Sequence, residues 1–106
     1  MSRSADFIAE LEYLTTEEGG RVTPVHSGYR PQLKFAFAEM QTSGRQIFVG
    51  RDLVYPGEKV LAEITIIAVP FFAGKLYSGL QFEFREGARI IGSGIITDIL
   101  NKDLER

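Results

Sequence analysis

No cysteine occurs in this chain of 106 residues, and there is only one histidine. The first absence excludes a disulfide framework and thiolate chemistry. Both together leave no zinc site, which needs three or four ligands drawn from His, Cys and carboxylates. Phosphate-binding signatures are also missing. There is no G-x-x-x-x-G-K-[ST] loop, and GSG at 92–94 does not extend to G-x-G-x-x-G and lies inside a strand-like run. NKD at 101–103 carries its aspartate one place too early for the guanine-reading N-K-x-D tetrapeptide. Ser27 beside His26 has no G-x-S-x-G elbow, and sequence neighbours rarely face each other as nucleophile and base. Glu17 and Glu18 read as a solvated loop pair, and Glu63 and Glu83 as single strand carboxylates. The expectation is a protein that is not an enzyme, holds no cofactor or metal and binds no GTP.

A long apolar run is also lacking. The longest, ITIIAVPFFAG from Ile64 to Gly74, is too short to span a bilayer and contains a proline. The start, MSRSADFIAE, has no apolar stretch of the secretory type. These two absences give the expectation of a cytoplasmic chain with no membrane partner. Basic charge is not in excess: Lys and Arg number 12 against 14 Asp and Glu, a formal net charge of −2 with a pI near 5.4. A general nucleic-acid binder would be basic, although a local basic site is still allowed. Internal repeats and low-complexity segments are absent. With 44% hydrophobic residues the composition is that of one ordinary globular domain. It is expected to span 1–106, with a core of about 5–101 and short flexible ends.

What is present is a period of two. Phe7, Ala9, Leu11 and Tyr13 fall on one side with Glu10 and Glu12 on the other; Leu33, Phe35 and Phe37 alternate with Lys34, Ala36 and Ala38, and Leu80, Phe82 and Phe84 with Gln81, Glu83 and Arg85. Such alternation marks strands with one buried and one wet face. RQIFVG at 45–50, EKVLAEITIIAV at 58–69 and ARIIGSGIITDIL at 88–100 add further strands, and YPGE at 55–58 has the Pro-Gly centre of a tight turn. No convincing helix is evident; a helical stripe fits only the terminal ILNKDLER. About six antiparallel strands favour an all-β barrel, closed or nearly so, which removes exposed edges. Gly92 and Gly94 fit that reading as places where a barrel strand bends or another chain approaches closely. Against this pattern stands EEGGRVTPVHSGYRPQ, residues 17–32, a long polar excursion with two of the four prolines and the single histidine. Its mixture suits a loop of fixed shape, and fixed loops carry contacts.

That stretch resembles the start of the third, C-terminal domain of translation elongation factor Tu, where an EGGR-x-TP…GYRPQ-x-x-F run is typical. VYPGEKV is similar to the family's M-x-PGD turn, and GLQFEFREGARIIGSGII to its GLRFAIREGGRTVGAGVV. The likeness covers about residues 6–100. It implies a six-stranded antiparallel Greek-key barrel, here as a stand-alone chain, since the GTPase domain and the second barrel of the full-length factor have no room in this sequence. In the family this domain touches both of those domains, the T stem of aminoacyl-tRNA and the nucleotide-exchange factor. Arg21, Gln32, Glu86 and Gly87 match positions that the family places at or near the tRNA backbone. Val22 replaces a usual histidine, Val69 replaces a lysine, and FFAGKLYSG is longer than the family's short acidic turn.

Each of these residues also has a plain structural reading. Arg21 either contacts a phosphate or pairs with Glu17 or Glu18. Tyr29, Arg30 and Pro31 read as scaffold, Gln32 is divided between the two roles, and Glu86-Gly87 reads as a turn in which glycine supplies a positive φ. Phe71, Phe72 and Tyr77 in the 70–79 loop have no obvious core position, and exposed aromatics of this kind mark a protein contact. Two functions follow: a translation-factor-related, non-catalytic protein-interaction module, with a protein partner or self-association, and a weak tRNA-binding accessory module.

Overall fold

A computed structural model describes residues 4–106. Six strands close into an antiparallel barrel: β1 (Phe7–Tyr13), β3 (Gln32–Phe35), β4 (Thr42–Phe48), β6 (Lys59–Ile66), β7 (Gln81–Glu86) and β8 (Arg89–Ile99). Around the barrel they run β1-β6-β4-β3-β7-β8, and β8 closes on β1. β3, β4 and β6 form a meander, and the next strand of the barrel, β7, returns to lie beside β3, the first of the three. Two short strands, β2 (Val25–His26) and β5 (Leu53–Val54), pair as a separate ribbon.

The alternating residues point where their period requires. Phe7, Ala9, Leu11 and Tyr13 of β1 and Val60, Ala62, Ile64 and Ile66 of β6 all face the interior. Aromatic rings fill its centre edge to face: Phe7 against Phe82 with ring centres 6.0 Å apart, and Tyr13 against Phe84 at 4.9 Å. β8 gives up side-chain volume to make room for them. A Cβ on Gly94 would lie 2.4 Å from the Phe82 Cζ, and one on Gly92 would lie 2.1 Å from the Phe84 Cζ.

Three expectations are corrected. The strand predicted over 58–69 stops at Ile66, and Val69–Phe72 forms one helical turn, α1. Pro70 has no amide to give a ladder but is tolerated at the start of a helix, so it ends the strand there. Phe37 does not continue the inward face of β3. The strand ends at Phe35, the chain turns, and the Phe37 ring stacks 5.6 Å from Phe35 with 47% of the residue exposed. At the C-terminal end, Lys102–Leu104 forms a 3₁₀ turn instead of a loose end, and Leu104 is fully buried. The expected flexible N-terminal end falls on residues 1–3, outside the described residues.

The C-terminal segment is held by the Asp6 side chain, by the Leu100 and Asn101 amides, which both donate to Asp6 O at 2.9 Å, and by bonds along the 70–79 loop. The buried Asp6 carboxylate accepts from the Ile66 amide at 2.8 Å and from the Asn101 side-chain amide at 3.0 Å. Further on, the Gly74 amide donates to Asp103 O and the Leu76 amide to Leu104 O, both at 2.9 Å, and the Arg106 amide donates to Leu76 O at 2.7 Å. Residues 101–106 therefore lie as a short parallel rung against the 70–79 loop.

Candidate interaction surfaces

The polar excursion is built by local bonds. The Glu18 carboxylate accepts from the Thr15 amide at 2.9 Å and from its hydroxyl at 3.1 Å. Chiefly the amide bond holds the Glu18 carboxyl below the usual carboxylate range. Gly20 follows because any Cβ there would sit 2.5 Å from Leu14 O. Thr16 Oγ1 then donates to Arg21 O at 2.7 Å. Arg21 does not pair with Glu17 or Glu18, as the sequence suggested. Its Nη1 donates to Glu86 across the fold, its Nη2 to Thr23 Oγ1 at 3.0 Å, and its guanidinium lies 5.4 Å from the centre of the Tyr29 ring. Tyr29 donates its hydroxyl to the same Glu86 oxygen, and Arg89 approaches the other oxygen at 3.7 Å. Burial first, and the Glu86 carboxylate second, raise the Tyr29 phenol above its ordinary range. Tyr29 is thus scaffold, as expected.

Gly87, at a φ of +59°, makes the turn between β7 and β8 beside this cluster. Gln32 is exposed on β3 opposite Arg85, the residue before Glu86. All four family-matched positions therefore meet at one end of β7. Their charge is largely cancelled, because Glu86 occupies the Arg21 guanidinium.

The second surface lies around α1. Phe71 is 44% and Tyr77 39% exposed, but Phe72 is fully buried, its ring 5.3 Å from Phe35. Phe72 is therefore a core residue and is removed from the expected contact surface. One helical turn places adjacent side chains on different faces, so Phe72 enters the barrel and Phe71 stays outside. Lys75 Nζ sits 4.6 Å from the Phe71 ring centre, and the Arg106 guanidinium 4.7 Å from that of Tyr77. Phe37 contacts the same Phe72 ring at 6.2 Å, and Ile67, before α1, is 66% exposed. Sequence reading missed Phe37 and Ile67 because both lie in runs that alternate as strands. The polar stretch EMQTSG after Ala38 was the available sign that β3 had already ended.

Residues 1–100 match the elongation factor Tu C-terminal domain family. The chain belongs to that family. It is a family of non-catalytic barrel domains from a translation factor, in agreement with the barrel seen here. Val22 and Val69, two positions at which the resemblance sets this chain apart, occupy different settings in the barrel. Val22 is 76% exposed next to Arg21, whereas Val69 is half-buried at the start of α1. The 101–106 segment lies beyond the family match and packs on the 70–79 loop. Among the described residues, no three His, Cys, Asp or Glu are grouped to hold a metal ion, and no helix is long and apolar enough to cross a membrane.

Proposed function

We propose that this chain is a single-barrel, non-catalytic protein-interaction module of the translation-factor type, acting in the cytoplasm and meeting a protein partner or a second copy through the surface around α1. The observation that carries this reading is the exposed pair Phe37 and Phe71, whose rings pack on the buried Phe72, with Ile67 and Tyr77 exposed in the chain on either side of α1. Full burial of side chains of this size contributes about 1.5–3 kcal/mol each, and half-exposed rings such as Phe71 retain roughly half of that for an interface. The test is the double substitution Phe71→Ser with Tyr77→Ser, which spares Phe72. Sedimentation over a concentration series reads self-association, and cross-linking in extract followed by purification reads a heterologous complex. The complex should be lost while circular dichroism is unchanged; a complex that survives the double change refutes the assignment.

A second reading, weak tRNA binding, is favoured by the convergence of Arg21, Gln32, Glu86 and Gly87 at one end of β7. An incoming phosphate has to compete with Glu86 for Arg21, and Val22 offers it no donor. Affinity should be no better than non-specific binding, roughly 10⁻⁴ M at physiological salt, with a shallow salt slope. Fluorescence anisotropy with labelled aminoacyl-tRNA over a salt series tests this. Micromolar affinity at physiological salt would make RNA the principal ligand. The chain is also expected to give no heat on titration with GTP and magnesium, since its sequence carries no phosphate-binding loop of convergent amides.

A further inference from the structure

The outer face of β3, β7 and β8 carries a groove of about 480 Å³, within the size range of small-molecule sites. Alternation sets its walls: Lys34 and Ala36 on one side, Gln81, Glu83 and Arg85 along the middle, Ser93 and Ile95 on the other. None of the four family-matched positions lines it. Its charges are unevenly matched. Glu83 stands opposite Lys34 in the strand register, yet its carboxylate bonds to Arg85 Nη2 at 2.8 Å. That leaves the Lys34 ammonium with a neutral acceptor, Phe35 O at 2.9 Å, and no carboxylate among the described residues. The Arg85 Nε–H is buried and has no acceptor. A locally positive site therefore exists on a chain whose net charge is −2.

From this we propose that the groove binds a small molecule with one anionic group, a carboxylate or a phosphate, on an apolar body. Lys34 and Arg85 meet the anion, and Ser93 Oγ and the Gln81 carboxamide stand on the walls to donate to it. Ile95, Ala36 and the edge of Phe82 take the apolar part. Glu83, bonded to Arg85 in the middle of the groove, argues against a polyanion: a strand of nucleic acid would carry successive phosphates past its carboxylate. The size of the groove and its single unmatched charge both suit one small ligand. This inference is independent of the α1 surface and of the RNA reading.

The experiment is a ¹H–¹⁵N NMR titration of the whole chain with benzoate, with phenyl phosphate and, as a neutral control, with benzamide. Saturable shifts should centre on the amides of Lys34, Glu83, Arg85 and Ser93 with one or both anions, and the stronger anion identifies the headgroup. Benzamide should leave these amides in place. Lys34→Gln should weaken binding about tenfold, the effect of one lost charged contact of about 1.4 kcal/mol, with Lys102→Gln, outside the groove, as an unaffected control. The spectrum of each variant itself reports that the barrel is folded. Absence of saturable shifts with both anions, an equal response to benzamide, or shifts centred on Arg21 and Glu86 would each overturn the proposal.

Discussion

The two glycines of β8 provide a sharp test of how the barrel interior is filled. Neither has a positive φ, so replacing either with alanine brings no torsional strain, and the cost has to come from contact. At Gly94 the atoms nearest the new Cβ belong to side chains, the Phe82 Cζ at 2.4 Å and the Leu11 Cδ2 at 2.9 Å. At Gly92 it would meet the Phe84 ring at 2.1 Å and also the backbone oxygen of Glu12 at 2.8 Å. Overpacking of this kind costs about 1–3 kcal/mol, and the lower chain entropy of alanine returns about 0.5–1 kcal/mol. Gly94→Ala should therefore destabilise by about 1–2 kcal/mol, and Gly92→Ala should stand at the upper end, because a strand carbonyl cannot turn away as a ring can. In a domain of this size each kcal/mol lowers Tm by about 4–8 °C. Urea unfolding of single and double variants separates the causes. Combined with Phe82→Leu, the cost of Gly94→Ala should largely disappear, a coupling of about 0.5–3 kcal/mol. Combined with Phe84→Leu, that of Gly92→Ala should fall only in part, since the Glu12 carbonyl remains. Strict additivity in both pairs would refute the claim that these rings are why glycine stands there.

Three further outcomes are expected. Phe72→Ala should cost about 3–5 kcal/mol by opening a cavity, whereas Phe71→Ala should cost about 1 kcal/mol or less; similar values from chemical denaturation would contradict the division between core and surface. Asp6→Ala should cost about 1.5–3 kcal/mol for its charged hydrogen bonds. It should also speed amide exchange at Gly74, Leu76 and Arg106, whose segment is anchored through Asn101; unchanged exchange there would separate the Asp6 side-chain bonds from those along the 70–79 loop. Because folding raises the Tyr29 phenol, stability tied to its neutral form is complete below the ordinary phenol range near pH 10 and is lost above it. The difference in absorbance at 295 nm between the natural chain and Tyr29→Phe should therefore appear only above that range. A difference at or below pH 10 would show that the phenol is not held by burial and Glu86.

The barrel was legible in the sequence because a closed sheet has one dry and one wet face, and a period of two records that difference strand by strand. Phe7 to Tyr13 and Leu80 to Phe84 needed no partner to be read. What a local pattern cannot carry is which strand lies next to which, or where alternation ceases to mean strand. Phe37 keeps the inward period of β3 two residues after the strand has ended, and Ile67 follows directly on the last residue of β6. Phe71 and Phe72 are chemically alike, and only the phase of a single helical turn sends one inside.

The family-matched surface shows the same limit with a functional consequence. Arg21 was visible as a cation near acidic neighbours, and its alternatives were a phosphate or Glu17 or Glu18. The residue that holds it, Glu86, lies 65 positions away and was itself one of the proposed RNA contacts. One ion pair thus joins two site positions and cancels the charge that would make them an RNA site. Lys34 presents the opposite case. Its carboxylate neighbour Glu83 is visible in the register but is bonded to Arg85, so the lysine that looks paired from the strand alignment is the one left with unmatched charge. In this barrel the side chains available to a ligand are decided by which carboxylate each cation reaches, across the fold for Arg21 with Glu86 and within β7 for Arg85 with Glu83, and the anion titration and the tRNA salt series question those two pairings separately.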